Sequence, residues 1–382
     1  MLVKSNFTLE VEDFQLERSQ GPLGTGHTGF NLPSLMPVSN LSLVQPERFT
    51  AQLLAGRPAR DPLTVAERLL AIQGQDPRGA RLAIRARTTG LTSEDVDRAL
   101  TEDRSLVVTW LNRGTLHLVR SEDYGWLHVL TAPSVVSANA RRLRQEGVTA
   151  AAAERGVGLI ARSLAADGPL TRHELGPRLA AARVRTEGQA LVHLLLLASL
   201  RGLIVGGPMV GGRQAFALTS DWLGKQKPVA RERALAELAR RYLAGHGPAT
   251  ERDLAYWSGL ALRDARAGLK AISSEVVERG DGLVNLKSAR SSRALPAPRL
   301  LGSFDPLLLG WTSRDAILGA GAPSVVAGGT FRPFAIVRGH AVATWSLRAG
   351  KLELKPFRPL ARPENSALKA DEKDVLRFLN VG

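Results

Sequence analysis

The chain has no cysteine among its 382 residues, which removes disulfides, thiolate zinc sites and cysteine-bound iron–sulfur clusters together. Its histidines fall in no HExxH or similar spacing, so no metal is expected and no cofactor is assigned. Long apolar runs are missing as well. The longest, 190–200, contains His193 and is about half the roughly 20 residues that cross a bilayer. The opening residues lack the basic segment and apolar stretch of a signal peptide. These absences point to a cytoplasmic protein without a membrane partner. Acidic residues are in deficit: 36 Asp and Glu stand against 51 Lys and Arg, for a formal charge of +15 and a pI near 10.9. Such an excess favours a polyanionic partner, nucleic acid first, although a GC-rich genome inflates arginine in the same direction.

A length of 382 residues leaves room for two or three domains. The first stretch, 1–40, holds Gly21-Pro22-Leu23-Gly24-Thr25-Gly26, Pro33 and Pro37 with little periodicity, and reads as a poorly ordered N-terminal extension. Beyond it the chain repeats itself. Gly168-Pro169-Leu170-Thr171-Arg172-His173-Glu174-Leu175 is echoed by Gly247-Pro248-Ala249-Thr250-Glu251-Arg252-Asp253-Leu254, each after an apolar-periodic helix, 157–166 and 234–244. Two copies of one supersecondary unit follow from this. In each, the threonine is an N-cap candidate with an acidic residue three positions on. The first copy continues into an apolar helix, 188–200, and a glycine-tipped hairpin over 202–218. The second continues into a helix, 262–272, and a hairpin over 276–286 with a Gly-Asp-Gly turn. Helix, helix-turn-helix and hairpin in that order describe a winged helix. The leucine-rich helix at 191–197 suits a structural wall better than a groove reader, because groove-reading helices carry polar side chains.

Residues 62–119 contain the elements of a third, degenerate copy: a helix through Ile72, another across 79–87, a third after Thr92-Ser93-Glu94-Asp95, and a strand at 115–119. The fold class expected is mainly α with small β wings. The divisions expected are a first winged-helix-like module over 41–150, a second over 151–228, a third over 229–290, and a β-rich portion with a terminal helix over 291–382.

Within the first module, Gln73 and Gln75 stand where the helical run 64–72 meets Gly74 and Asp76-Pro77. On a helix, residues two apart diverge; in an extended segment they share a face, and the breakers Gly74 and Pro77 permit that. Paired amides can hold a water or a base edge. They do not titrate near neutrality, so chemistry here must depend on positioning rather than proton transfer.

Ala71-Ile72-Gln73-Gly74-Gln75-Asp76-Pro77-Arg78-Gly79-Ala80-Arg81-Leu82, then Ser105-Leu106-Val107 and Trp110-Leu111-Asn112-Arg113-Gly114-Thr115-Leu116-His117-Leu118-Val119, resemble the AlkZ-type (YcaQ-like) bacterial DNA glycosylases. Residues 300–311 and 329–333 resemble that family too, so the likeness runs from about 41 to about 360. It implies tandem winged helices curved around a DNA channel, and a glycosylase that excises bulky N7-alkylated purines, interstrand crosslinks included. The family's catalytic motif, glutamine, an aliphatic residue, then glutamine or aspartate, maps onto Gln73 and Gln75, with Gly74 at the aliphatic position. That glycine either loosens the pair or makes room for a larger lesion. An N7-alkylated purine is cationic and leaves without protonation, so what remains is to stabilise the sugar and aim a water. On this reading Gln75 orients the water and Gln73 supports water or sugar. Asp76 is either a spare carboxylate or an Asp-Pro turn residue.

DNA contacts are expected from Arg113 and Thr115, as phosphate holders, and from His117, which either approaches the lesion or is a strand histidine. Arg338 and His340 stand at the tip of an expected hairpin over 334–345, followed by a strand at 351–355. Asp305 is expected to be a turn or structural residue. No lysine is placed as a Schiff-base nucleophile, so no lyase activity is expected. The partner expected is double-stranded DNA bearing alkylated purines or crosslinks, bound by a monomer in a bacterial, nucleoid-associated setting, for repair or for self-resistance. A non-catalytic winged-helix DNA-binding protein, a transcription factor or a lesion-sequestering resistance protein, is the other class of reading.

Overall fold

A computed structural model describes residues 38–280, 282–290 and 293–381, with side chains from Val44 onward. The N-terminal extension lies almost wholly outside these residues, as does Asp281 of the Gly-Asp-Gly turn. The chain is mainly helical with small sheets. It begins with α1 (Val38–Ala51), α2 (Pro62–Leu69), β1 (Ile72–Gln73), α3 (Pro77–Arg85), α4 (Ser93–Thr101), β2 (Leu106–Trp110) and β3 (Leu116–Arg120), followed by α5 (Tyr124–Thr131) and α6 (Pro133–Gln145). The helix expected through Ile72 stops at Leu69. Leu70 turns into the left-handed region, at φ 64°, and Ile72 and Gln73 leave the helix to pair with Leu118 and His117. Cross-strand pairing of a buried isoleucine outweighs the helical pattern here.

The repeated units have matching order. The first runs α7 (Ala150–Asp167), β4 (Leu170–Thr171), α8 (Arg172–Ala181), α9 (Ala190–Leu200), β5 (Ile204–Val210), β6 (Arg213–Leu218), then α10 (Thr219–Leu223). The second runs α11 (Arg231–His246), α12 (Glu251–Ser258), α13 (Leu262–Ala271), β7 (Val276–Glu278) and β8 (Val284–Leu286). Both threonine caps form as capping boxes: the Thr171 N–H and hydroxyl donate to Glu174, each at 2.7 Å, and those of Thr250 donate to Asp253 at 3.0 and 2.9 Å. Apart from Leu191, every residue of α9 is buried, so this helix is a wall of the core. α13 instead buries only Ala265 and Gly268 and leaves Arg263, Arg266 and Lys270 exposed.

The C-terminal part contains β9 (Arg299–Leu301), α14 (Pro306–Leu309), α15 (Asp315–Leu318), α16 (Ala322–Val325), β10 (Val326–Ala327), β11 (Thr330–Phe331), β12 (Phe334–Val337), β13 (His340–Arg348), β14 (Lys351–Pro356) and α17 (Arg362–Phe378). Its main sheet has the order β14-β13-β12-β9.

The small antiparallel sheet β1-β3-β2 stands between two cores, because side chains alternate across it. Ile72, Leu118 and Leu106 pack with Leu82, Leu300, Trp345, Leu368 and Phe378. Val107 and Val119, on the other face, pack with Leu127, Leu238, Tyr242 and Trp257. At the end of β2, Trp110 stacks on Phe216 of β6, ring centroids 6.0 Å apart, and joins the core around α9.

Charges tie these parts together. Arg87 and Asp305 have fully buried side chains and pair through two hydrogen bonds of 2.9 and 2.8 Å. The other donors of Arg87 reach the Gln52 carbonyl, the Gln52 side chain and the Ala83 carbonyl, each at 2.8 Å, so all five N–H groups of the guanidinium are used. Asp305 also caps α14, accepting from Leu307 N–H at 2.9 Å; it is structural, in line with the sequence. Arg85 binds Asp371 of α17 at 2.9 Å and the Leu300 carbonyl at 2.8 Å. Asp123 lies between Arg120 and Arg241, at 2.9 and 3.1 Å, and fastens α11 to the segment that joins β3 to α5.

Two outcomes follow. Asp305→Asn keeps the shape and the cap but strands the Arg87 charge, so equilibrium unfolding in urea should show a loss of about 3–5 kcal/mol. The second concerns His246, which is buried against Tyr242 at 5.0 Å. Burial lowers its pKa to about 3, and the same cause lowers that of His117 to about 3. Unfolded histidine titrates near 6.5. As pH falls through that value the unfolded chain takes up protons that the folded chain refuses. Stability present above pH 6.5 should therefore decline, by up to about 1.4 kcal/mol per pH unit for each such histidine. Unfolding curves between pH 6.5 and 5 check this; a flat profile would mean that both imidazoles accept protons in the fold.

Candidate active site

Across the sheet β1-β3-β2 runs a row of polar side chains. Gln73 lies opposite His117, and His117 opposite Thr109. The Gly74 N–H donates to the Leu116 carbonyl at 2.7 Å. This bond flanks the Gln73–His117 pair, making it a non-hydrogen-bonded pair, the kind in which side chains approach most closely. Thr109 shares a 3.1 Å hydrogen bond with Ser199 of α9. Ordinary alternation along Val107, Thr109 and Leu111 marks this threonine, which sequence reasoning passed over.

The extended backbone brings the two amides together: Gln73 Nε2 donates to Gln75 Oε1. Gln73 is only 6 % exposed and Gln75 is half-buried. Gln73 Oε1 is sealed from solvent without a hydrogen-bond partner among the described residues, a state that costs roughly 1–3 kcal/mol. Asn112, at the turn between β2 and β3, has both amide atoms sealed in the same way; it lies in the family-like segment 110–119, where no role was given to it. Asp76 takes the turn role: it caps α3 by accepting from the Arg78 N–H at 3.0 Å. One turn on, Gly79 lies against Gly302. A Cβ on Gly302 would stand 2.9 Å from the Gly79 Cα, and one on Gly79 would run into the Ser303 carbonyl. Segments far apart in sequence thus meet backbone to backbone just behind the glutamines.

His117 is 2 % exposed, and its Nδ1 lies 2.9 Å from the Thr115 carbonyl. A carbonyl only accepts, so Nδ1 carries the proton and Nε2 carries a lone pair. Burial is the main cause of its low pKa, the Arg113 charge adds to it, and the Thr115 carbonyl opposes both. Arg113 sits in the left-handed region at φ 57° and donates from Nη1 to the Tyr256 and Trp257 carbonyls at 3.0 and 2.7 Å. It thereby holds the C-terminal end of α12, where the helix dipole favours a cation. Thr115 donates to the Asn112 carbonyl at 3.1 Å. Gln73 and Gln75 at the β1 edge, His117 on the central strand β3, and Arg113 and Thr115 in the turn before it therefore lie at one end of this sheet. Arg338 and His340 are exposed at the β12–β13 turn, whose Gly339 rests on the Phe49 ring of α1. They share no hydrogen bond with the glutamines among the described residues. Arg338 lies within electrostatic reach of Glu364.

Among the described residues, no three His, Asp or Glu side chains are grouped to hold a metal ion, and no helix is long and apolar enough to cross a membrane.

Comparison with known proteins adds three findings. The family model described as DNA glycosylase AlkZ-like matches residues 66–378. The chain is 29 % identical to an interstrand DNA cross-link repair glycosylase of Streptomyces sahachiroi, over 87 % of this chain and 95 % of that protein. The fold is similar to the solved structure of the S. sahachiroi DNA glycosylase AlkZ, with a TM-score of 0.73 and 27 % identity, covering 89 % of this chain and 97 % of that one.

The nearest neighbours of a side chain at Gly74 would be backbone atoms of β3 rather than the two amides. The Gly74 backbone is held in the ladder, which argues against a loosened pair. A Cβ there would meet Leu118 N at 3.6 Å and His117 C and Leu116 C at 3.7 Å, ordinary contacts. Gly74→Ala should therefore raise stability by about 0.4–1 kcal/mol by restricting the unfolded chain. A lower denaturation midpoint would show that the strand has to move to take the methyl group.

Proposed function

Given that the chain belongs to the AlkZ-like DNA glycosylase family, hydrolases acting on N-glycosyl bonds, we propose that it releases N7-alkylated purines from duplex DNA, bulky adducts and interstrand crosslinks included, through Gln73 and Gln75. The observation that carries this reading is the hydrogen bond between the two amides at a half-buried sheet edge. Membership of a glycosylase family counts against a purely DNA-binding protein.

The chemistry suits uncharged side chains. Alkylation at N7 leaves the purine cationic, so the C1′–N9 bond breaks with its electron pair going to a base that departs neutral. No general acid is needed for that departure. The sugar left behind is cationic, and the oxygen of a water bonds to C1′, its spare proton passing to solvent. An amide carbonyl can accept a hydrogen bond from that water and turn its dipole to the developing charge. Gln75, the more exposed member, orients the water. Gln73 fixes Gln75 by donating to its carbonyl.

The units built from α7 to β6 and from α11 to β8 act as winged helices, with the degenerate copy around β1–β3, and together they enclose the duplex. The exposed Arg263 and Lys270 of α13 face the phosphates, whereas the buried α9 does not enter a groove. Arg338 and His340 reach DNA from the β12–β13 turn, and Thr115 and Arg113 stand at the rim of the site. The positive charge of the chain supports such a partner.

In single-turnover reactions on a duplex with one N7-methylguanine, Gln73→Ala and Gln75→Ala should each slow base release by about 10²–10³-fold. A double alanine variant that works at the parental rate would sink the assignment.

A further inference from the structure

We propose that His117 is a catalytic residue of this reaction: its Nε2 accepts one hydrogen of the attacking water while Gln75 Oε1 accepts the other. The proposal rests on the reading of the glutamine pair above and gives the water a second, separately testable acceptor.

Three observations point the same way. The strand register sets His117 directly across from Gln73, in the pair type that brings side chains closest. Gln75 follows two residues on, just past the end of β1, and its carbonyl meets the Gln73 side chain beside this pair. The bond from Nδ1 to the Thr115 carbonyl at 2.9 Å fixes the tautomer, so the lone pair of Nε2 is what the ring offers on that face. Finally, Gln75 Oε1 accepts from Gln73 Nε2, which orients the carbonyl and uses one of its two lone pairs. One remains.

A water that gives both hydrogens to acceptors on the sheet presents its own lone pairs outward. That is the orientation an attack on C1′ requires. Water oxygen bonds to C1′, the C1′–N9 pair leaves with the purine, and one proton passes to solvent; His117 takes none. Its low pKa suits an acceptor that stays neutral, because burial and the Arg113 charge both disfavour imidazolium. A protonated ring would donate from both nitrogens and turn the water around.

The test uses the full-length protein and a duplex with a single N7-methylguanine. His117→Leu fills the space without an acceptor, and His117→Gln restores one. Leucine should lower the single-turnover rate by about 10–10²-fold, with duplex affinity unchanged by anisotropy and glutamine recovering much of the rate. The parental rate should be flat between pH 5 and 8. Leucine at the parental rate overturns the proposal, and so does a loss that follows weaker DNA binding. A rate that rises through pH 6–7 would also overturn it, since His117 would then be a titrating base. If leucine prevents folding, the glutamine variant and the pH profile still decide. Failure here with the Gln73 and Gln75 variants still impaired would reject His117 alone, whereas a parent that releases no base would reject the glycosylase reading itself.

Discussion

Two charges cut off from water hold the working parts of this molecule in register. Arg87 follows α3 and Asp305 opens α14; their bidentate pair also engages Gln52, which follows α1. Such a pair adds little net stability over well-packed apolar groups, yet losing either member leaves a buried charge that nothing offsets. The fold therefore tolerates one arrangement of α1, α3 and α14. Because α3 starts two residues after Gln75, what fixes that helix also fixes the glutamines. The contact of Gly79 with Gly302 sets the spacing and the ion pair sets the alignment.

Much of this was legible in the residues. Both threonine caps, the paired units, the hairpins at 202–218 and 334–345 and the extended break at Gly74 follow from local chemistry: a hydroxyl with a carboxylate three positions on, a glycine-tipped turn, alternating apolar residues. What the sequence concealed is long-range. Nothing local says that Arg113 would close the end of α12, 143 residues away, or that Asp305 would meet Arg87. An arginine beside a glycine in a basic chain reads as a phosphate ligand, and only the fold shows that its Nη1 is given to helix carbonyls. Likewise the helix expected to Ile72 fails because its competitor, a strand partner at Leu118, lies far along the chain.

The sheet edge is chemically unusual for so cationic a protein. Its side chains are amides, a neutral imidazole and hydroxyls, and the nearby guanidinium is turned to helix carbonyls. In the proposed reaction, substrate and transition state both carry positive charge. A bare cation among the glutamines would oppose each, whereas oriented dipoles favour them without a proton to manage. On that proposal, positive charge serves DNA capture at a distance and neutrality serves chemistry up close.

The buried ion pair also separates two responses to ionic strength. Binding to a phosphate backbone weakens steeply as salt rises, because releasing condensed counterions into a saltier solution gains less entropy. Screening acts through solvent and scarcely reaches charges from which solvent is excluded. The grip on DNA and the architecture behind it thus answer to different variables: brine that strips the protein from a duplex leaves Arg87 and Asp305 joined, and the glutamine edge in place for the next encounter.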